Sequence, residues 1–351
     1  MVGRRWFGRD KDGRSGRAGG ATVVRSPAAE AQHAAFVAAL ARGPHQSPES
    51  STVTSVLITG ARGQLGSDLV AAAAAAGIPA QAFGSRELDI TDPEAVEGAL
   101  TAFARTATGD DVTGRAVVIN AAAYTAVDDA EADPDAAYAV NAAGPTHLAQ
   151  AAGRLGLGLI QVSTDYVFPG DGTRPYEVDD PTGPHSVYGA SKLAGEQAVL
   201  EGYPEAHVVR TAWVWGVTGG NFVKTMAKLE SARPTLSVVD DQRGTPTYSA
   251  DLAAGLLELA AADLPGGILH LTNAGQTTWF DFARAIFVEL GADPDRVQPT
   301  TTAAFPRPAP RPAYSVLSPA AWVGAGLTPL RDWQAALHDA FTTAPDAFRP
   351  A

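Results

Sequence analysis

Tyr188 and Lys192 stand four residues apart in Tyr188-Gly189-Ala190-Ser191-Lys192, a spacing that puts both side chains on one face of a helix, one turn from each other. A cation so placed lowers the cost of a phenolate. Each pKa unit is worth about 1.4 kcal/mol, so modest proximity brings a tyrosine toward use as an acid. The chemistry open to such a pair is proton delivery to an oxygen that is gaining charge, as in reduction of a ketone. Alone, the pattern is weak and is usually a surface pair. It is joined by Ser163-Thr164-Asp165-Tyr166-Val167-Phe168, at the carboxyl end of a predicted buried strand, where a parallel sheet presents its ligands. A hydroxyl at Thr164 could hydrogen-bond the carbonyl oxygen being reduced. Tyr188 is then the proton donor, with Thr164 and Lys192 as its catalytic partners. The plain alternative for Thr164 and Asp165 is a strand end with a cap.

The hydride must come from a carrier. Thr59-Gly60-Ala61-Arg62-Gly63-Gln64-Leu65-Gly66 follows a β-branched run and opens an Ala-rich helical stretch, which spaces Gly60, Gly63 and Gly66 as GxxGxxG. One glycine permits the tight turn, one lets the backbone approach a pyrophosphate, and one lets helix and strand pack closely, while the helix N–H groups face the anion. In NAD-preferring folds the second strand ends in an acid that accepts from the ribose 2′-OH. Here the stretch reads Phe83-Gly84-Ser85-Arg86, with no carboxylate before Glu87. Ser85 and Arg86, with Arg62, could hold a 2′-phosphate instead. NADPH is favoured, with NADH as the alternative and two ordinary solvated arginines as the plain one. Lys192 is also placed to bond the nicotinamide ribose.

These groups need a scaffold. The pattern predicts strands at Val53–Ile58, Pro79–Phe83, Ala116–Asn120, Gly158–Ser163 and His207–Arg210, separated by helices ending near Gly77 and over Pro93–Arg105, Ala136–Leu155 and Tyr188–Glu201. Alternation of this kind predicts an α/β fold, a Rossmann-type doubly wound parallel sheet. After Trp215 the pattern loosens into helices Asn221–Ser231, Tyr248–Ala262 and Thr278–Leu290, short extended pieces Thr235–Val239 and Ile268–Leu271, and a Pro-rich stretch Pro299–Pro312. The division expected is 1–52 as a mostly disordered extension, 53–215 as mainly the dinucleotide-binding domain, and 216–345 as mainly a smaller C-terminal substrate-binding lobe, with return of segments to the first domain allowed.

Composition closes off other classes. The 351 residues include no cysteine, so disulfides, thiolate nucleophiles and cysteine metal sites are excluded together. Of the 26 basic residues eight lie in 1–52, against only four of the 38 acidic ones. The rest of the chain therefore sets 18 basic against 34 acidic side chains and repels a phosphate backbone, which excludes nucleic acid as the partner of the folded part. No apolar run approaches the roughly 20 residues of a membrane span, and no signal-cleavage pattern opens the chain, so the cytoplasm is the expected compartment.

Beyond these general patterns, several strings resemble one family. They are Leu88-Asp89-Ile90-Thr91-Asp92, Asn120-Ala121-Ala122-Ala123-Tyr124-Thr125-Ala126-Val127-Asp128, the segment from Ser163 to Phe168, Arg210-Thr211-Ala212-Trp213-Val214, Asn221-Phe222-Val223-Lys224-Thr225-Met226, Asp241-Gln242-Arg243-Gly244-Thr245-Pro246-Thr247, and Arg311-Pro312 with Ser315 and Leu317. Together they resemble the dTDP-4-dehydrorhamnose reductases, a branch of the short-chain dehydrogenase/reductase superfamily, from about Val53 almost to the end. The resemblance implies NAD(P)H-dependent reduction of a keto group on a nucleotide-linked deoxysugar. It implies that Gly63, Gln64, Leu65, Asp89, Ile90, Ala123, Tyr124 and Thr125 line the cofactor site. It further implies that Thr164, Asp165, Tyr188 and Trp213 meet the sugar, and that Lys192 serves cofactor and catalysis. Trp213 could offer an apolar wall to a deoxysugar ring, or be a core tryptophan. Lys224 and Arg243 are candidates for the substrate pyrophosphate, or solvated charges. Some members of the family use magnesium at a dimer contact. No carboxylate cluster with ligand spacing carries this over, so magnesium and a homodimer stay unassigned and no metal site is expected. Two rival readings remain open: reduction of a different 4-keto deoxysugar, and a non-catalytic binding module similar to the regulatory subunit of methionine adenosyltransferase.

Overall fold

In the structure, a computed structural model that describes residues 53–107 and 115–348, the β-branched run at Val53 forms strand β1 (Val53–Thr59), and the glycines after it release the chain into helix α1 (Gln64–Ala75). The extension expected over 1–52 lies outside the described residues. There follow β2 (Ala80–Phe83), α2 (Pro93–Ala107), β3 (Arg115–Asn120), α3 (Val127–Ala132), α4 (Pro134–Tyr138), α5 (Gly144–Leu155), β4 (Gly158–Thr164), α6 (Val187–Gly202) and β5 (His207–Thr211). The second half holds β6 (Val214–Trp215), α7 (Phe222–Ala232), β7 (Leu236–Val239), β8 (Arg243–Gly244), β9 (Thr247–Tyr248), α8 (Ser249–Ala261), β10 (Gly267–His270), β11 (Thr277–Thr278), α9 (Trp279–Glu289), β12 (Val297–Thr300), α10 (Ala320–Gly324) and α11 (Trp333–Thr343).

Six parallel strands make the central sheet, in the order β10-β5-β4-β3-β1-β2. β1 pairs with β2 on one side and β3 on the other, so the chain reverses its direction of travel across the sheet there. That reversal opens a crevice at the carboxyl edge, which is where ligands bind in such sheets. Successive strand residues point to opposite faces. Val56, Ile58, Val117 and Ile119 pack with Leu69 of α1 and Leu252 and Leu256 of α8. Leu57, Val118 and Leu159 pack with Leu100 of α2, Leu148 of α5 and Val199 of α6. Each such side chain, when fully buried, contributes about 1.5–3 kcal/mol. A third cluster joins Val223, Leu236, Phe282, Ile286, Val297 and Leu337 beyond the carboxyl edge.

Two elements differ from the sequence pattern. The helix expected over Ala136–Leu155 is broken: α4 ends at Tyr138, a π-turn covers Ala139–Ala143, and α5 restarts at Gly144 with Pro145 in its first turn. Proline lacks the N–H and crowds the carbonyl four residues back, here that of Asn141, and the wider turn takes up the conflict. The extended piece near Ile268 is β10, which pairs with β5 as an outer strand of the central sheet.

Candidate active site

Gly60 adopts φ +66°, and a Cβ there would fall 2.6 Å from the Ala122 nitrogen. The first turn therefore lies directly on the chain leaving β3, and only glycine fits. A Cβ on Gly66 would fall 2.1 Å from the Gly60 oxygen, so that glycine is what lets α1 close onto the turn. Gly63 is the N-cap of α1, extended at φ −78°. The amino end of α1 thus opens on a cleft of about 870 Å³, lined there by Gly60, Gly63, Gln64, Leu65 and Gly66. The arrangement can hold a dinucleotide pyrophosphate, since backbone N–H groups and the positive end of a helix suit an anion.

Asp89, Ile90, Ala123, Tyr124 and Thr125 line the same cleft, as do Ser85 and Arg62. Arg86 is exposed and is not among the residues lining it. Instead the carboxylate of Glu87 turns back over the end of β2. It accepts the Gly84 N–H at 3.0 Å and ion-pairs with Arg62, which holds its carboxyl below the usual range. An acid does reach this end of the strand, through its side chain and not through its place in the sequence.

At the other end of the cleft Thr164 closes β4 and caps the short turn Asp165–Val167, its Oγ1 accepting the Tyr166 N–H at 3.2 Å and donating to Asp165 Oδ1 at 2.9 Å. Ser186 caps α6 by accepting the Gly189 N–H. A Cβ on Gly189 would fall 2.3 Å from the Tyr166 oxygen, so α6 lies on this turn, and Tyr188 and Thr164 line the same cleft. One turn further along, buried Lys192 donates through Nζ to the Val162 carbonyl at 2.7 Å. One more turn on, Glu196 forms a buried ion pair with Arg210 of β5 at 2.7 Å.

Burial sets the protonation states. It pushes the Tyr188 phenol up to about 12, with the Thr164 hydroxyl opposing and Asp165 adding to the rise. It brings the Lys192 ammonium down to about 8, with Glu196 opposing. It raises the Asp165 carboxyl to about 6, with the hydrogen bond from Thr164 opposing. The phenol thus lies above its ordinary value, not below it as expected from Lys192, because desolvation dominates. Tyr188 stays protonated through neutral pH, the form a proton donor needs.

Trp213 lines the cleft beside these groups. Lys224 and Arg243 do not: Lys224 Nζ donates to the Val217 carbonyl at 2.6 Å, and Arg243 is exposed. Two residues escaped the sequence reading. Asn141, in the π-turn, accepts the Tyr124 N–H at 2.9 Å and donates to the Tyr124 carbonyl at 3.1 Å and to Ser191 Oγ at 3.0 Å. It thereby ties the cleft wall at Tyr124 to the helix that carries Tyr188. Pro145 inside a helical run was the signal for the irregular turn. Trp279 also lines the cleft, its ring stacked on Trp213 with centroids 3.6 Å apart, and no local pattern marks it.

With this geometry in place, comparison with known proteins points to one family. The family model described as RmlD substrate binding domain matches residues 54–345. The chain is 54% identical over 290 residues to a dTDP-4-dehydrorhamnose reductase of Mycobacterium tuberculosis (strain ATCC 25618 / H37Rv), covering 81% of this chain and 91% of that one. It is 51% identical over 291 residues to a probable dTDP-4,6-dihydroxy-2-methyloxan-3-one 4-ketoreductase of Streptomyces antibioticus, covering 81% and 94%. The crystal structure of a dTDP-4-dehydrorhamnose reductase from Bacillus anthracis str. Ames in complex with NADP superposes with a TM-score of 0.77 at 37% identity, covering 83% of this chain and 99% of that one.

Proposed function

We propose, from the premise that this chain belongs to the RmlD substrate-binding-domain family, that it reduces the 4-keto group of dTDP-4-dehydro-L-rhamnose with NADPH, giving dTDP-L-rhamnose. The observation that carries the reading is that Tyr188, Thr164 and Lys192 line the same cleft as the glycine cradle of Gly60, Gly63 and Gly66. The cradle fits a dinucleotide, since Gly60 and Gly66 leave the space where side chains would stand. When bound, the dinucleotide supplies the hydride. The protein's part is the proton and the geometry. Thr164 Oγ1 hydrogen-bonds the ketone oxygen, and Tyr188 gives that oxygen its phenolic proton as charge develops, a contribution of about 10² to 10⁴ in rate. Lys192, on the same face of α6, holds the nicotinamide ribose and limits the cost of the transient phenolate. Asp165 and Trp213 meet the sugar.

A second reading, reduction of a different 4-keto deoxysugar nucleotide, is favoured by the Streptomyces antibioticus relative, which stands at nearly the same identity under a different substrate name. Both readings share the chemistry and differ in the sugar wall. We place the activity in the cytoplasm, in keeping with a chain that has no cysteine and, among the described residues, no helix long and apolar enough to cross a membrane. The test is NADPH oxidation by the purified protein with dTDP-4-dehydro-L-rhamnose, run beside other dTDP-4-keto-6-deoxysugars. Faster turnover of another sugar would select the second reading. No oxidation with any of them would leave a binding module as the answer.

A further inference from the structure

Both faces of the Trp213 indole are covered. On one side the Trp279 ring lies parallel, with 3.6 Å between centroids and 8° between planes. On the other lies the backbone of Gly244, where an added Cβ would stand 2.4 Å from Cε2, 2.6 Å from Nε1 and 2.7 Å from Cζ2 of Trp213. Those distances belong to an atom above the ring, not beyond its edge, and a parallel ring at 3.6 Å leaves no space for backbone on its own side. The two covers hang from one small ladder. β8 and β11 pair Gly244 with Thr277 and Arg243 with Thr278, and Trp279 is the next residue. Trp213 itself is the one non-glycine residue with positive φ, +47°, among the described residues, strain that persists where the surrounding structure fixes a position.

If Trp213 is the wall of the sugar subsite, as in the reading on which this inference rests, the sugar needs one of those faces. Gly244 is pinned, because the Arg243 N–H donates to the Ala313 carbonyl at 2.8 Å and the Arg243 carbonyl accepts the Ser315 N–H at 2.8 Å. Trp279 is not. It is half-buried at the first position of α9, and its ring is held by aromatic contacts, to Trp213 and to Phe222 at 4.5 Å. A side-chain rotation removes it without breaking a backbone hydrogen bond.

We propose that Trp279 is the removable cover of the sugar subsite: it occupies the face of Trp213 that the hexose takes, and the incoming sugar displaces it. The apolar face of a deoxyhexose regains the stacking that Trp279 gives up. A nucleotide without a sugar leaves the stack closed. Trp279 thereby helps to select nucleotides that carry an apolar sugar.

The test uses the full chain with NADPH bound and the already reduced dTDP-L-rhamnose, a pair that cannot react. With 5-fluorotryptophan incorporated and Trp279 assigned through Trp279→Phe, its fluorine resonance is expected to move on adding dTDP-L-rhamnose and to stay in place with dTDP alone. Trp279→Ala is expected to tighten dTDP-L-rhamnose binding roughly two- to tenfold, the worth of one aromatic stack, leaving affinities for dTDP and NADPH unchanged. A stationary resonance, or weaker sugar-nucleotide binding in Trp279→Ala, overturns the proposal while ketosugar reduction by the unmodified chain keeps the function reading intact. If the alanine variant does not fold, the resonance in the unmodified sequence decides alone. A chain that neither binds nor reduces the sugar nucleotide overturns both.

Discussion

The Thr164 hydroxyl donates to the Asp165 carboxylate across 2.9 Å, joining consecutive side chains at the end of β4. Asp165 holds this position at a cost. Burial raises its carboxyl to about 6, and the hydrogen bond from Thr164 offsets only part of that rise. Between pH 4 and 6 the native state keeps a proton that the unfolded chain has lost, so stability falls as pH rises through this window, and the penalty is complete above it. Asp165→Asn keeps an acceptor for Thr164 and removes the buried charge. It is expected to raise stability above pH 6 by up to about 3 kcal/mol, with the gain shrinking toward pH 4, and to slow sugar reduction. Thermal unfolding of both proteins across that range checks the sign: a gain that grows on acidification would contradict it.

The glycine turn, the alternation of strand and helix, and Tyr188 with Lys192 were legible in the sequence because each depends on residues a few positions apart. Their assembly in one cleft follows from where a parallel sheet ends its strands. What could not be read depends on distant pairings or on where a side chain turns. Trp279 meets Trp213 only because β8 and β11 pair. Asn141 reaches Tyr124 and Ser191 only because the helix breaks before Pro145. Glu87, passed over as lying after the strand, folds back to the Gly84 amide. Arg86, adjacent in sequence to Ser85, is exposed and does not line the cleft.

That last contrast yields a cofactor prediction. Arg62 lines the cleft and is paired with Glu87, so a 2′-phosphate has to share this guanidinium with a carboxylate. Arg62→Ala is expected to raise the KM for NADPH several-fold more than that for NADH, by loss of a charge-assisted contact. Glu87→Gln should free the guanidinium and lower the KM for NADPH alone. Arg86→Ala should change either value less than twofold. Steady-state kinetics with both cofactors decide the matter, and a larger effect at Arg86 than at Arg62 would assign the phosphate to the wrong arginine.

Arg210 and Glu196, at 1% and 2% side-chain exposure, lock α6 to β5 beneath the reactive residues. Losing one partner of a buried pair leaves an uncompensated charge, at about 3–5 kcal/mol. Arg210→Met is therefore expected to lower stability by that order, while the double variant Arg210→Met with Glu196→Leu should recover most of it. Denaturant unfolding of the single and double variants measures the coupling. Additive losses would mean that the pair is not acting as a unit.

Tyr188 carries the central prediction. Its phenol is raised to about 12 by burial and lines the cleft with Thr164, so at neutral pH it is a fully protonated donor beside the proposed ketone site. Tyr188→Phe keeps the ring, and with it the edge contact to Tyr166 at 5.5 Å between centroids, but removes the proton. NADPH affinity, which rests on the glycine cradle and α1, should stay within about twofold, while turnover should drop by about 10² to 10⁴. The two quantities separate the roles: fluorescence titration reports NADPH binding, and absorbance loss reports ketosugar reduction. A fall in both would mean that the substitution has disturbed the fold of the cleft. Unchanged reduction by Tyr188→Phe would show that the proton comes from another group, with buried Lys192, brought to about 8, as the next donor to test by its own pH profile.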